Sequence, residues 1–218
     1  KIRGNMQITT EQLFCLEHTL AKAYLKQFTY PWEALQGINN LILELGDSLD
    51  SSEYNKIGND VWIHKSANIY PTSYIAGPCI IGAETEVRHC AFIRGSALIG
   101  NHCVIGNSVE IKNAIIFDNC QVPHFYYIGD SILGYHAHMG AGSVTSNFKA
   151  GGKNINIHAT PDIVTGLRKI GSFLGDYVDV GCNTVLNPGT IVGKNTVIYP
   201  CSNVRGIVPE KSIYKTGK

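Results

Sequence analysis

Three groups of residues in this sequence could do chemistry. Arg94 and Lys112 stand 18 residues apart. Two unpaired cations at about 5 Å repel by roughly 3 kcal/mol at an effective dielectric of 20, and an anion between them turns that cost into attraction. Arginine suits a bidentate phosphate contact and lysine a point charge. The alternative is that both side chains reach solvent or pair with Glu110. The second group is the run Pro123-His124-Phe125-Tyr126-Tyr127-Ile128-Gly129-Asp130. Histidine is the usual general base near neutral pH, and a structural histidine is the competing reading. The third is Met139-Gly140-Ala141-Gly142-Ser143-Val144-Thr145-Ser146-Asn147. Its small residues let a ligand approach backbone amides, but it is neither a GxxxxGK[ST] phosphate loop nor a GxGxxG fingerprint. None of the 8 histidines forms an HxxxxH pair, so no metal site is expected.

The elements that must position these groups follow from a repeat. Aliphatic residues recur every six positions, at Ile57, Ile63, Ile69, Ile75, Ile81, Val87, Ile93, Ile99, Ile105 and Ile111. Phe117 continues the series, which resumes as Leu174, Val180, Leu186, Val192, Ile198 and Val204. Six is neither the helix period nor the simple strand period. It is the hexapeptide repeat of a parallel β-helix. Three hexapeptides close one triangular coil, so residues 18 apart lie one above the other, about 4.8 Å apart at the backbone. Arg94 and Lys112 are such a pair. The repeat breaks over about 118–173, which places His124 on a non-repeating turn. Residues 148–170 fit no register and hold Gly151, Gly152, Pro161 and Gly166 among Lys149, Lys153, Arg168 and Lys169. So long a loop inside a compact domain is functional or disordered.

Residues 1–56 read as a helical segment before the β-helix of 57–218. Thr9 or Thr10 caps a helix carrying Leu13, Leu16, Leu20 and Leu25. Pro31 opens a second, with Leu35, Ile38, Leu41, Ile42 and Leu45, and Gly46 ends it. These helices are expected to cap or brace the solenoid, and they are candidates to cover one of its open ends.

Composition narrows the classes. Charged residues are 16% of the chain, against roughly 25% in an average domain, which suits surface hidden in subunit contacts. A net charge of +1 argues against nucleic acid as a partner. The 7 cysteines are odd in number and lack CxxC spacing. That argues against a disulfide framework or zinc knuckle and for a reducing cytoplasm. No apolar run approaches the ~18 residues that span a bilayer, and the first residues lack the apolar core of a signal peptide.

At Gly106-Asn107-Ser108-Val109-Glu110-Ile111-Lys112, His124-x-x-Tyr127-x-Gly129-Asp130 and Gly140-Ala141-Gly142 through Asn147, the chain resembles a known family. This is the acetyltransferase half of the bacterial bifunctional enzymes that acetylate glucosamine-1-phosphate and uridylylate the product. The resemblance covers roughly 57–206 and is most specific over 94–153. It implies a left-handed coil, a homotrimer with active sites between subunits, and acetyl-CoA as co-substrate. By the same resemblance His124 is the base that deprotonates the attacking amine. Arg94 and Lys112 hold the sugar phosphate, and Tyr127, Asn147 and Lys153 contact it. Ala141 lies against acetyl-CoA, and Cys182 falls where the family has a serine near that cofactor. His138 stands at a substrate position where the family has an asparagine, Phe148 replaces a tyrosine, and the loop after Lys153 is longer. The nucleotidyltransferase half is expected to be absent, because 56 residues cannot hold it. The rival expectations are an acetyltransferase for a nucleotide-linked amino sugar and a non-catalytic β-helix that binds sugar nucleotides.

Overall fold

A triangular coil needs a sharp corner every six residues, and a left-handed backbone conformation makes it. Positive φ recurs at Glu84, Cys90, Ser96, His102 and Ser108. The computed structural model describes residues 8–216, and over most of that length it is a solenoid of the left-handed parallel β-helix class. Face one carries Val61–His64, Cys79–Ile81, Ala97–Ile99, the second halves of Glu110–Ile116 and Tyr127–Leu133, then Ser172–Leu174, Thr190–Val192 and Ile207–Val208. Face two is the 8-stranded sheet from Asn68–Ile69 to Ile213–Tyr214. Face three carries Tyr74–Ile75, Phe92–Ile93, the first halves of the two long strands, Val144–Thr145, Val185–Leu186 and Asn203–Val204. Inside the prism the repeat residues stack. Ile93, Ile111, Ile128, Thr145, Leu186 and Val204 form one column, each 0% exposed.

The structure corrects the expected limits of the repeat. Ile57 lies outside the coil: Tyr54–Ile57 runs antiparallel to Val61–His64, and Ile57 is 54% exposed. At the other limit the coil does not stop at residue 117. Ile99 pairs with Ile116, Ile105 with Val122 and Ile111 with Ile128. The step has shortened by one residue, so Ile116 takes the register and Phe117 packs against Phe14, ring centroids 5.2 Å apart. The cause lies at one corner. Gly95 and Ser96 both have positive φ, whereas Asn113 and Asp130 each make the corresponding corner alone. Asparagine and aspartate are the side chains that best tolerate this conformation. His124 therefore ends an ordinary strand, Gln121–His124, paired with Asn107 below it.

The true interruption is the insertion expected at 148–170. Thr145 pairs with Leu186, so extra chain is looped out between those coils. It leaves after Asn147 and rejoins at Ile170, whose amide donates to the Asn147 carbonyl at 3.1 Å. Within it Asn156–Ile157 and Ile163–Val164 form an antiparallel pair. It folds along the corner between faces three and one, where Gly189 and Gly206 make room. A Cβ on Gly189 would meet Ile155 and Ile157 at 3.1 Å, and one on Gly206 would meet the His158 Cβ at 3.4 Å.

The N-terminal segment braces the side of the solenoid and does not cover an end. Its first expected helix is broken into the turns Thr10–Leu13, Leu16–His18 and Lys22–Leu25. The second begins as the 3-10 turn Pro31–Gly37 and continues as the α-helix Ile38–Ser48, past Gly46. That glycine allows close approach, for its Cβ would meet the Trp62 ring at 2.4 Å. The physical reason is face one itself. Its outward side chains Ile80, Leu98, Ile115, Ile132, Phe173 and Ile191 are apolar and no more than 1% exposed. Leaving that column in water would forfeit roughly 25 cal/mol per Å². Among the described residues no helix is long and apolar enough to cross a membrane.

Candidate active site

The corner between faces two and three stacks Asn107, His124, Ala141 and Cys182 on successive coils. His124 is exposed, and its side chain has no hydrogen-bond partner among the described residues. The amides of Gly140 and Gly142 donate to the Val180 carbonyl at 2.6 Å and the His124 carbonyl at 3.3 Å. Ala141 is the residue of that turn whose amide takes no part in the ladder. One corner thus presents a free imidazole with a free backbone donor one coil above it.

Face three, beside this corner, carries the charged cluster. Arg94 and Lys112 stack on adjacent coils as the spacing requires, with Ile93 paired to Ile111. They are not the unpaired cations whose repulsion an anion must relieve. Arg94 Nη1 lies 2.7 Å from Glu110 Oε1, and Lys112 Nζ lies 3.7 Å from Asp130 Oδ2. The Glu110 hydrogen bond holds the Arg94 guanidinium even more firmly in its charged form. The carboxylates neutralise the pair and hold both cations in place.

Asp130 stands in the second run of residues but received no role from the sequence. It is 4% exposed, makes the corner alone, accepts from two side-chain amides and faces a third side chain as an ion pair. Asn113 Nδ2 donates to its Oδ1 at 2.7 Å, Asn147 Nδ2 to its Oδ2 at 2.5 Å, and Lys112 approaches the same Oδ2. Asn147 also donates to the Tyr127 hydroxyl oxygen at 2.9 Å. That leaves the Tyr127 O–H proton free to donate outward. Burial, with Asp130 nearby, pushes the Tyr127 hydroxyl above its ordinary range, so it stays protonated. A sequence signal existed: Asn113, Asp130 and Asn147 recur at the shortened 17-residue step.

Other expected residues lie elsewhere. His138 is on face two, its Nδ1 2.7 Å from Asp179 Oδ1, and does not join the face-three cluster. Lys153 is exposed in the insertion and takes no part in these hydrogen bonds.

Asp130→Asn is expected to cost about 1–3 kcal/mol of stability, the range for leaving a buried polar group unmatched. The substitution removes the charge that Lys112 faces and turns an amide toward the donors of Asn113 and Asn147. Asparagine keeps the size and tolerates the left-handed corner, so backbone strain does not confound the result. A melting temperature equal to the wild type would mean that Asp130 does not organise the cluster.

The family description "GMPPB C-terminal domain" matches residues 75–198. The chain is 32% identical over 197 residues to the bifunctional protein GlmU of Methanococcus maripaludis strain S2, covering 89% of this chain and 48% of that protein. It is 29% identical over 209 residues to a bifunctional sugar-1-phosphate nucleotidylyltransferase/acetyltransferase of Sulfurisphaera tokodaii, covering 91% and 52%. The chain therefore spans about half the length of these relatives. Among solved structures, PerB from Caulobacter crescentus in complex with CoA and GDP-perosamine is 18% identical, with a TM-score of 0.36 over 82% of this chain and 64% of that one.

Proposed function

The chain belongs to the GMPPB C-terminal domain family, and from that premise we propose that it moves an acetyl group from acetyl-CoA to the amine of an amino-sugar phosphate, glucosamine-1-phosphate or a close analogue. The observation that carries the reading is the corner where the unpartnered His124 lies one coil below the free Ala141 amide, beside the cluster of Arg94, Lys112, Tyr127 and Asn147. His124 takes the proton from the amine, whose nitrogen lone pair then attacks the thioester carbon. The carbonyl oxygen becomes anionic and accepts from Ala141 N–H. The oxyanion collapses to the amide carbonyl, the C–S bond breaks, and CoA leaves as its thiol with the proton that His124 took from the amine. Arg94 and Lys112 hold the phosphate, Tyr127 donates to the sugar, and Ala141 and Cys182 flank the donor.

The test is release of CoA thiol against a panel of amino-sugar phosphates and nucleotide-linked amino sugars. Turnover of one phosphate alone supports this reading. Turnover of only the nucleotide-linked set moves the acceptor class. No release with any acceptor leaves a binding protein. Assembly belongs to the same proposal: face three keeps Tyr74, Phe92 and Val185 exposed, as a face that meets another subunit would. A homotrimer with closed threefold symmetry is expected, and a monomer mass by light scattering at micromolar concentration would sink it.

A further inference from the structure

Between the insertion and face three lies a cavity of about 190 Å³, lined in part by Lys149, His158, Arg205, Ser146, Asn187 and Phe148. We propose that it is a phosphate subsite, built by the insertion, for the nucleotide end of one of the two substrates. The inference rests on the acetyltransferase reading and names a recognition element that the reading does not contain.

Size comes first. Whole-ligand pockets run to roughly 300–1,000 Å³, so about 190 Å³ suits one group of a larger ligand. Charge comes second. Lys149 and Arg205 enter none of the ion pairs among the described residues. They differ in this from Arg94 and Lys112, which both have carboxylate partners. Orientation comes third. Arg205 Nη2 lies 2.9 Å from His158 Nε2. A guanidinium can only donate, so Nε2 accepts and the ring proton sits on Nδ1, 3.4 Å from Asp162 Oδ2. The His158 hydrogen bond therefore holds one edge of the guanidinium and leaves its other N–H groups for a ligand. A guanidinium presents the planar fork that phosphate oxygens match. Ser146 adds a neutral hydroxyl, the half-exposed Phe148 ring offers an apolar wall, and Asn187 lines the cavity with its side-chain amide already donating to Asn203 and the Val204 carbonyl.

Position ties the cavity to the reaction. Ser146 and Phe148 flank Asn147, the residue that orients Tyr127 and bonds Asp130. Asn187 and Arg205 belong to successive coils beyond it, each about 4.8 Å further along the axis. A ligand reacting near His124 could place a phosphate here only if it extends over several coils. A lone sugar phosphate is too short. The nucleotide of the acetyl donor and that of a nucleotide-linked amino sugar both have the length.

Titration calorimetry on the intact chain separates these sources, with CoA, pantetheine and UDP as probes. Arg205→Ala and Lys149→Ala are each expected to weaken binding of one nucleotide about tenfold or more. Weaker CoA with unchanged pantetheine assigns the subsite to the donor, and weaker UDP assigns it to the acceptor. Both side chains are exposed, so melting temperatures should hold. If one variant does not fold, the other still decides. Unchanged affinities in both variants, or a wild type that binds neither nucleotide, overturn the proposal. A chain that releases thiol normally while Arg205→Ala changes nothing would retire the subsite and keep the acetyltransferase.

Discussion

His124→Ala is expected to lower kcat by about 10²-fold or more, the usual worth of a general base, while the melting temperature stays within about 2 °C. The two halves of this expectation rest on different observations. The backbone at His124 is held by its strand pairing with Asn107, and alanine keeps that pairing. Its side chain is exposed, and truncating such a group changes stability by about 0.5 kcal/mol or less. Only the imidazole in reach of the substrate is lost. Tyr127 is a poor substitute base, because burial keeps its hydroxyl protonated. His138 is bonded to Asp179 on another face. Measuring kcat and melting on one preparation separates the readings: near-normal kcat retires His124 as the base, and a large joint loss of stability and rate makes it structural.

Phe173→Ala is expected to be the most destabilising single truncation on face one. The side chain points outward from Ser172–Leu174, is 0% exposed, and lies 6.2 Å from the Trp32 ring, which stacks on Tyr30 at 4.5 Å. Phenylalanine-to-alanine changes in cores cost about 3–5 kcal/mol. In a chain of this size each kcal/mol moves the melting temperature by roughly 2–4 °C, so a fall of about 6–20 °C should appear. Val185→Ala on face three, where the side chain is 39% exposed, is the control and should shift melting far less. Equal small shifts in the two variants would mean that the N-terminal segment is not seated on face one.

Much of this was legible in the residues. The six-residue period at Ile63 through Ile111 reports a constraint that repeats locally: each coil must send one aliphatic side chain into the prism. The same spacing put Arg94 above Lys112, and the loss of period marked the insertion. Runs such as Cys79-Ile80-Ile81, Ala97-Leu98-Ile99 and Ala114-Ile115-Ile116 also carried the news that face one is covered. A strand with one wet side would have alternated.

Other features were decided by contacts between residues far apart in the chain. Whether two stacked cations face an empty site or a carboxylate depends on rotamers chosen by neighbours one coil away, and Glu110 and Asp130 made that choice. The coil continued through Val122 and Ile128 because Asn113 and Asp130 each turn a corner alone. A one-residue contraction looks like lost period in the sequence but leaves the ladder in space unbroken. The N-terminal helices followed a similar logic. Their apolar spacing required burial, but only the packed column of Ile80, Leu98, Ile115 and Phe173 selected the side of the solenoid over its end. Periodicity records what every coil must do alone, whereas partners and docking faces depend on what the other coils have already placed nearby.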